Sequence, residues 1–289
     1  MDPSEAGRPH GASATRARPG RSSGARRAGR NLPASSEKGI SPQVRYLILS
    51  DIHANQEALD AVVREAQGRW DTAICCGDLV GYGADPNSVV DWVRANCALV
   101  VRGNHDRACT GIEDLEWFNP VAKSAALWTE QTLTPPNLVW VRDLPKGPLV
   151  LEQFEVAHGS PYDEDEYVMA GVEATGAFAY LQRRLAFFGH THLQGGYIWN
   201  QARVEAISRM PARARSRTME IDSGCAYLVN PGSAGQPRDG DPRAAFALYD
   251  SSANTVTYRR TPYDVAAAQR KIREAGLPPA LADRLAVGR

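Results

Sequence analysis

The chain alternates short apolar segments with segments of helical periodicity from Val44 onwards. Three apolar segments predict buried strands: Val44–Ser50, Thr72–Cys76 and Ala98–Arg102. Two segments between them, Asn55–Gln67 and Pro86–Asn96, place apolar residues on one helical face, with Asn55 as N-cap and Pro86 in the first turn. This βαβαβ order predicts an α/β sheet with a parallel portion.

The second half of the chain is richer in predicted strands. These are Phe154–His158, Leu185–Phe188, Ala226–Val229, Ala244–Asp250 and Thr255–Arg259. Helices are predicted at Pro120–Thr132, Tyr263–Ala275 and Pro278–Val287. The segment Met210–Glu220 carries three arginines without a clear period, which favours a solvated loop or hairpin tip over a ligand-binding arm.

Residues 1–43 differ in composition from the rest. They are rich in Arg, Ser, Gly, Ala and Pro and too poor in large apolar residues to offset the entropy of ordering, so they predict a disordered basic tail. An inert start is favoured over a polyanion-binding arm or a transit peptide, because no amphipathic pattern accompanies the arginines. Residues 44–289 are predicted to form one domain.

Charge and cysteine content narrow the class of protein. The 289 residues hold 33 basic and 33 acidic side chains, but residues 1–44 carry eight basic and three acidic residues, a net +5, which leaves −5 on the rest. Nucleic acid is therefore an expected partner only through the tail. The five cysteines contain no CxxC pair and predict a reducing, cytoplasmic setting, and no apolar run is long enough to span a membrane. The oligomeric state stays open.

Potential metal ligands follow one predicted strand after another. They stand in five blocks: Asp51-Ile52-His53, Gly77-Asp78, Gly103-Asn104-His105-Asp106, His158-Gly159 and Gly189-His190-Thr191-His192. The carboxyl ends of parallel strands meet at one sheet edge, and residues two apart in extended chain point the same way. Five of the six histidines lie in these blocks, which predicts a metal site rather than unrelated core histidines.

The ligand types also indicate which metals are suitable. Carboxylate, imidazole and amide oxygen without thiolate favour Mn²⁺, Fe or catalytic Zn²⁺ over a structural cysteine-zinc site. Seven candidates exceed the needs of one ion, so we predict two divalent ions about 3.5–4 Å apart with a bridging carboxylate. Such pairs activate water for displacement at phosphorus.

These five blocks, in this order and spacing, resemble the calcineurin-like metallophosphoesterases, and the likeness covers roughly residues 44–289. The stretches "GDLVGYGADPNSVV", "FNPVAKSAALWT", "NPGSAGQPRDGDPRAAFALYD" and "YDVAAAQRKIREAGLP" resemble, more narrowly, the small bacterial YfcE-like phosphoesterases. The resemblance implies a four-layer α/β/β/α sandwich, in which helices flank two packed mixed β-sheets.

The resemblance also implies roles for individual residues. One ion would be held by Asp51, His53, Asp78 and His192, and the other by Asp78, Asn104, His158 and His190. Mn²⁺ is the expected metal, with Fe, Zn²⁺ or Ni²⁺ as alternatives, and a hydroxide between the ions would attack phosphorus. His105 would be a general acid or a donor to the phosphoryl oxygens, with a supporting role toward Asn104 as its alternative. Asp106 would orient His105 or be a surface turn residue.

Three further residues each have a functional and a structural interpretation. Asn230 could face the phosphate or belong to a turn that closes the sheet. Arg238 could bind phosphate through its planar fork or be a solvated charge. Tyr82 could line a substrate pocket, although a packed aromatic is the favoured interpretation.

The expected function is therefore metal-dependent hydrolysis of a small or nucleotide-like phosphoester, as a phosphodiesterase or phosphatase. A serine/threonine protein phosphatase is an alternative within the enzymes. A non-catalytic scaffold with the same fold is the alternative outside them, and the complete ligand set in this sequence argues against it.

Overall fold

The computed structural model describes residues 43–289. The predicted disordered tail, apart from its last position, lies outside these residues. The described strands are β1 (Arg45–Leu49), β2 (Thr72–Cys75), β3 (Cys97–Val100), β4 (Leu149–Val150), β5 (Glu155–Val156), β6 (Leu185–Phe187), β7 (Gly195–Trp199), β8 (Val204–Ala206), β9 (Ser216–Glu220), β10 (Ala226–Asn230), β11 (Ala244–Asp250) and β12 (Thr255–Thr261).

The helices are α1 (Gln56–Ala66), α2 (Pro86–Asn96), α3 (Asn104–Ala108), α4 (Pro120–Thr132), α5 (Pro135–Arg142), α6 (Gly171–Phe178), α7 (Val265–Glu274) and α8 (Pro279–Asp283). Two 3₁₀ turns, Leu115–Trp117 and Arg284–Val287, complete the elements. In the part of the chain that the structure describes, no helix is both long enough and apolar enough to cross a bilayer.

The strands form two mixed sheets of six strands each. The first has the order β3-β2-β1-β11-β12-β9 and the second β4-β5-β6-β10-β7-β8. In the first sheet β1, β2 and β3 run parallel to one another, and in the second β5, β6 and β10 do. Antiparallel strands complete both sheets, so each contains a parallel block whose carboxyl ends are able to carry a site.

Alternation along β1 shows how the layers are built. Leu47 and Leu49 pack in the core between the first sheet and its covering helices, whereas Ile48 packs in the core between the two sheets. The same alternation in β6 places Phe187 between the sheets and Ala186 against the layer that contains α6. The result is the predicted four-layer α/β/β/α sandwich, which is confirmed.

The core between the sheets contains several aromatic side chains. The ring centroid of Phe154 lies 5.3 Å from that of Phe187 and 5.7 Å from that of Tyr249, and both pairs have edge-to-face geometry. Fully burying one such side chain stabilises a fold by roughly 1.5–3 kcal/mol. Because both sheets contribute to this cluster, it fixes the two sheets, and therefore their strand ends, relative to each other.

Most of the predicted elements are present, with bounds shifted by a few residues. Asn55 caps α1 as predicted, since its side chain accepts a hydrogen bond from the backbone N–H of Ala58 at 3.1 Å. The predicted helix Pro278–Val287 is α8 followed by a 3₁₀ turn. The sequence analysis did not predict α3, α5, α6, β4, β7 or β8, which are short or lack a clear period.

The segment Met210–Glu220 differs from its prediction as a loop or hairpin tip. Its second half is β9, which pairs antiparallel with β12 at the edge of the first sheet. The strand is hard to recognise because four of its five residues are polar, as an edge strand allows. Within β9, Met219 packs, partly buried, against the core between the sheets.

Candidate metal centre

Two groups of buried side chains converge at the carboxyl ends of the parallel strands. Asp51, His53, Asp78 and His192 form the first group, and the second contains Asp78, His158 and His190. Within each group the ligand atoms lie within 4.8 Å of one another, so each group is able to surround one ion. The chain segments after β1, β2, β5 and β6 carry these residues, as the strand-end argument predicted.

Asp78 belongs to both groups and lies between them. Its Oδ2 is 3.5 Å from Nε2 of His53 in the first group and 3.5 Å from Nε2 of His158 in the second. A carboxylate in this position is able to bridge two cations. The predicted bridging residue therefore lies where a bridge requires it.

Asn104 adds an amide oxygen to the second group. It is the first residue of α3, and its Oδ1 lies 3.3 Å from Nε2 of His158. All seven predicted ligands thus come together in the folded chain.

The ligand loops adopt a backbone conformation that costs free energy. Five ligands have positive φ values between 49° and 66°: Asp51, His53, Asp78, His190 and His192. Non-glycine residues in this region typically cost about 1–3 kcal/mol each, and such residues concentrate at functional sites. The fold holds this strain at the point where the predicted ligands meet.

Two glycines allow the loops to approach closely. A Cβ on Gly103 would lie 2.1 Å from Oδ1 of Asp78, so any side chain there would displace the shared carboxylate. Gly77 has φ +97° and would place a Cβ 2.7 Å from Nδ1 of His158. These contact distances require glycine before Asp78 and before Asn104.

The hydrogen bonds of the imidazoles test whether the site suits cations. Nδ1 of His53 faces the carbonyl oxygen of Val80 at 3.1 Å, and Nδ1 of His192 faces that of Gln236 at 2.5 Å. Each Nδ1 therefore carries the proton that it donates, which leaves both Nε2 atoms unprotonated. These two Nε2 atoms lie 3.1 Å apart. Their lone pairs repel each other, and a cation between the two nitrogens would relieve that repulsion.

The charge of the first group leads to the same conclusion. Burial, reinforced by the charge of Asp78, raises the pKa of Asp51 to about 7. Burial lowers the pKa of His53 and of His192 well below the ordinary value, so both rings are neutral. Oδ2 of Asp51 is shielded from solvent and has no hydrogen-bond partner among residues 43–289. Neutral imidazoles beside buried carboxylates are a donor set that fits a divalent ion.

His105 lies beside the first group without belonging to it. Its ring centroid is 4.9 Å from that of His53 and 4.2 Å from that of Tyr82, and its backbone N–H donates to Oδ1 of Asp78 at 2.9 Å. Burial lowers the pKa of His105 to about 4, so the ring is neutral at pH 7. Nδ1 of His105 is shielded from solvent and has no hydrogen-bond partner within the described chain.

Asp106 is fully buried, which excludes the surface-turn alternative. Its carboxylate accepts hydrogen bonds from four backbone N–H groups, those of Asp78, Leu79, Val80 and Gly103, at 2.9–3.3 Å. None of its hydrogen bonds in the described chain reaches the ring of His105. The contacts thus assign Asp106 to joining two ligand loops, in place of the predicted orientation of His105.

The three residues with two interpretations are now located. Asn230 is buried and donates to the carbonyl oxygen of Gly189 at 2.8 Å, so it supports the loop that carries His190. Tyr82 is a packed aromatic, 6% exposed. Arg238 is half-buried, and its Nη2 lies 3.5 Å from the hydroxyl of Tyr82, so it is not a freely solvated charge.

Sequence reasoning missed two residues at this site. Tyr167 places its ring centroid 3.7 Å from that of His190, and 46% of its side chain stays exposed. Arg284 lies with its guanidinium carbon 4.4 Å from the ring centroid of Tyr82. Neither residue stands in a recognisable motif, and Arg284 comes from the last 3₁₀ turn of the chain.

The sequence matches a known protein family over residues 44–254, described as the calcineurin-like phosphoesterase superfamily domain. An uncharacterized protein of Methanocaldococcus jannaschii, MJ0912, is 34% identical over 259 residues, which are 84% of this chain and 97% of that protein.

Solved structures show the same similarity. The crystal structure of a metallophosphoesterase from Sphaerobacter thermophilus aligns with a TM-score of 0.75 and 38% identity, covering 86% of this chain and all of that one. The hypothetical protein PH1004 from Pyrococcus horikoshii aligns with a TM-score of 0.66 at 18% identity, covering 85% and 99% of the two chains, and this likeness concerns the fold.

Proposed function

The chain belongs to the calcineurin-like phosphoesterase superfamily, as its motifs predicted, and on that basis we propose that it hydrolyses phosphoester bonds with two divalent cations. The observation that carries the proposal is the pair of ligand groups that share Asp78. A scaffold that had lost catalysis would be free to lose ligands, whereas all seven side chains converge here.

The first ion would be held by Asp51, His53, Asp78 and His192, and the second by Asp78, Asn104, His158 and His190. Mn²⁺ is our preferred metal, because oxygen and imidazole donors without thiolate suit it, and Fe, Zn²⁺ or Ni²⁺ are alternatives. When bound, such ions supply an activated water and neutralise charge on the phosphoryl group.

We assign His105 the role of a hydrogen-bond donor to the phosphoryl oxygens. The sequence left this role open beside that of a general acid. A general acid must lose a proton readily, and the buried neutral ring has no carboxylate bonded to it that would stabilise the protonated form. Asp106 is occupied by backbone N–H groups and leaves His105 without that support.

Two arginines supply positive charge for an anionic substrate. Arg238 and Arg284 both lie against the ring of Tyr82, at 5.9 Å and 4.4 Å from its centroid. Nε and Nη2 of Arg284 are shielded from solvent and have no hydrogen-bond partner in the described chain. A guanidinium with buried unused donors beside a phosphoesterase site is suited to bind phosphate oxygens.

We propose a small phosphoester as the substrate rather than a phosphorylated protein. The ligand side chains Asp51, Asp78 and His158 are no more than 1% exposed, so the reacting phosphorus must enter a recess. A compact molecule enters such a recess more easily than a side chain fixed on a folded protein surface. The protein phosphatase alternative then predicts turnover of phosphopeptides that exceeds turnover of small esters.

The experiment that tests this function is an assay of the protein reconstituted with Mn²⁺. Hydrolysis of bis-p-nitrophenyl phosphate and of p-nitrophenyl phosphate is measured beside a phosphoserine peptide, with Asp78→Ala as the inactive control. We expect release of p-nitrophenol from at least one small ester and none from the control. No turnover of any phosphoester by the metal-loaded protein would refute the proposal.

We also propose a cytoplasmic location. All five cysteines, Cys75, Cys76, Cys97, Cys109 and Cys225, are free thiols, which suits a reducing compartment. Cell fractionation of the tagged protein tests this location.

A further inference from the structure

A second concave region lies away from the metal ligands. We call residues 207–215, which connect β8 to β9, the arginine arm. Between this arm and the loop 239–243 lies a cavity of about 610 Å³. Small-molecule sites typically measure about 300–1,000 Å³, so this cavity has the size of a ligand site. The proposed phosphoesterase mechanism does not use it.

The floor of the cavity contains two arginines that are held by hydrogen bonds within the protein. Arg260 is 5% exposed and bonds to Asp239, to Oε1 of Gln194 and to backbone carbonyls. Arg243 forms a bidentate ion pair with Asp241 through Nε and Nη2, and its Nη1 donates to the carbonyl oxygen of Ala214 at 2.8 Å. These contacts hold the arm in place above the floor.

The wall of the cavity carries three arginines whose charge is not balanced. Arg209, Arg213 and Arg215 all line it, and within residues 43–289 no carboxylate lies within 4 Å of their guanidinium groups. The five arginines around the cavity face only two acidic residues, Asp239 and Asp241. Like charges around one cavity repel, so an anion that enters it gains favourable interactions with several guanidinium groups.

One acceptor in the cavity also lacks a partner. Oδ1 of Asp239 is shielded from solvent and accepts no hydrogen bond from the described chain, although the other oxygen is bonded to Arg260. A buried acceptor without a partner costs roughly 1–3 kcal/mol. A hydroxyl donor on the ligand would satisfy this oxygen.

We propose that this cavity binds a small phosphorylated molecule that also carries hydroxyl groups, such as a nucleotide or sugar phosphate. Arg209, Arg213 and Arg215 bind its phosphate oxygens, and Asp239 accepts a hydrogen bond from a hydroxyl. The site is distinct from the metal centre and does not require bound cations. The limited volume of about 610 Å³ suits a small molecule rather than a nucleic acid strand, which binds along an extended groove.

The test measures binding of ADP to the full-length protein by isothermal titration calorimetry at constant salt. The arm variant carries Arg209→Ala, Arg213→Ala and Arg215→Ala. The matched control carries Arg64→Ala, Arg69→Ala and Arg94→Ala, three exposed arginines without an ion pair in the described chain, so both variants lose the same charge. A third variant, Asp78→Asn, impairs the metal centre only.

We expect the arm variant to bind ADP about tenfold more weakly or worse, because it loses several charge-assisted hydrogen bonds. The matched control and Asp78→Asn should bind within about twofold of the unchanged protein, since neither alters the cavity. Pyrophosphate, which has no ribose, should bind more weakly than ADP. Thermal melts check that the arm variant folds. If it does not fold, the single variant Arg213→Ala, at the exposed tip of the arm, takes its place in the titration.

Three results would overturn the proposal. The first is no measurable binding of ADP at millimolar concentration. The second is equal weakening in the arm variant and the matched control, which would show a general charge effect. The third is loss of binding in Asp78→Asn with binding kept in the arm variant, which would assign all ADP binding to the metal centre. Phosphoesterase activity does not enter any of these readouts, so failure here leaves the proposed function standing.

Discussion

Asp106 and Asp78 hold each other's loops in position. Oδ2 of Asp106 accepts a hydrogen bond from the backbone N–H of Asp78 at 2.9 Å. In the other direction, Oδ1 of Asp78 accepts from the backbone N–H of His105, the residue before Asp106, also at 2.9 Å. This reciprocal pair joins the loop after β2 to the start of α3. The carboxylate that both candidate ligand groups share is thus oriented by a second carboxylate, which belongs to neither group.

We predict that Asp106→Asn destabilises the fold and weakens metal binding together. The new NH₂ group would replace one of two acceptor oxygens that serve four backbone N–H groups, and buried donors left without an acceptor cost about 1–3 kcal/mol each. Urea unfolding and metal content of the purified protein measure the two effects. Asp71→Asn, an exposed carboxylate paired with Arg45, is the control and should change stability by about 1 kcal/mol or less.

A catalytic role for Asp106 makes a different forecast. The Asn variant would then fold and bind metal normally and lose only turnover. That result would contradict the role of Asp106 in joining the two loops and favour the orientation of His105 that the sequence predicted.

We predict that Asp78→Ala removes both ions, because Asp78 belongs to both ligand groups. His190→Ala should remove only the ion of the second group, since His190 belongs to that group alone. Inductively coupled plasma mass spectrometry gives metal per chain after reconstitution with Mn²⁺ and gel filtration. Two equivalents retained by Asp78→Ala would contradict a shared bridging ligand.

We predict that His105→Ala keeps both metals and lowers the rate by about 10²–10⁴-fold. A donor to the phosphoryl oxygens acts on every ester alike, so the loss should be equal for p-nitrophenyl and alkyl phosphates. A general acid matters most for poor leaving groups. A much larger loss for alkyl esters would therefore overturn the donor role and favour proton transfer.

We predict that Arg284→Ala raises KM about 10–100-fold, because it removes a guanidinium whose Nε and Nη2 have no hydrogen-bond partner in the described chain and are suited to bind phosphate oxygens. Arg273→Ala is the matched control, since Arg273 lies nearby in the sequence but is paired with Asp283. Steady-state kinetics and thermal melts give the two readouts. An unchanged KM in a folded Arg284→Ala variant would contradict the assignment.

The residues predicted as ligands lie close together in the fold because each of them follows an apolar strand. A residue such as Asp51 or His158 is positioned by the strand that precedes it, and strand ends gather at one edge by the geometry of the sheet. The four-layer fold followed from the same strands through the family resemblance. These features depend on short stretches of chain, which a single sequence displays.

The features that were missed depend on contacts between distant segments. Asp106 serves the loop after β2, 26–28 residues away, and nothing in its own neighbourhood indicates that its carboxylate is filled. Arg284 and Tyr167 reach the site from a terminal turn and a long loop. The edge strand β9 has too few apolar residues to show a period. Only the folded chain reveals these relationships.

The last prediction concerns Glu155 of β5, a buried carboxylate that belongs to neither candidate ligand group. Burial raises its pKa from 4.5 to about 7, although its Oε2 accepts hydrogen bonds from the backbone N–H groups of Gln182 and Arg183 at 2.9 Å and 3.2 Å. The folded protein therefore keeps this proton to higher pH than the unfolded chain does. Between pH 4.5 and 7 the folded state binds more protons, so the contribution of Glu155 to stability falls as pH rises.

Glu155→Gln removes this titration and keeps an oxygen for the two backbone N–H groups. We expect the free energy of unfolding of the variant, relative to the unchanged protein, to increase from pH 5 to pH 8 by up to about 3 kcal/mol. Urea unfolding of both proteins at each pH measures it, and the comparison at equal pH cancels other titrating groups. The prediction requires the folded protein to keep the Glu155 proton at a pH where the unfolded chain has released it. A difference in the free energy of unfolding that stays constant or decreases from pH 5 to pH 8 would show that Glu155 is already ionised in the folded state at pH 5.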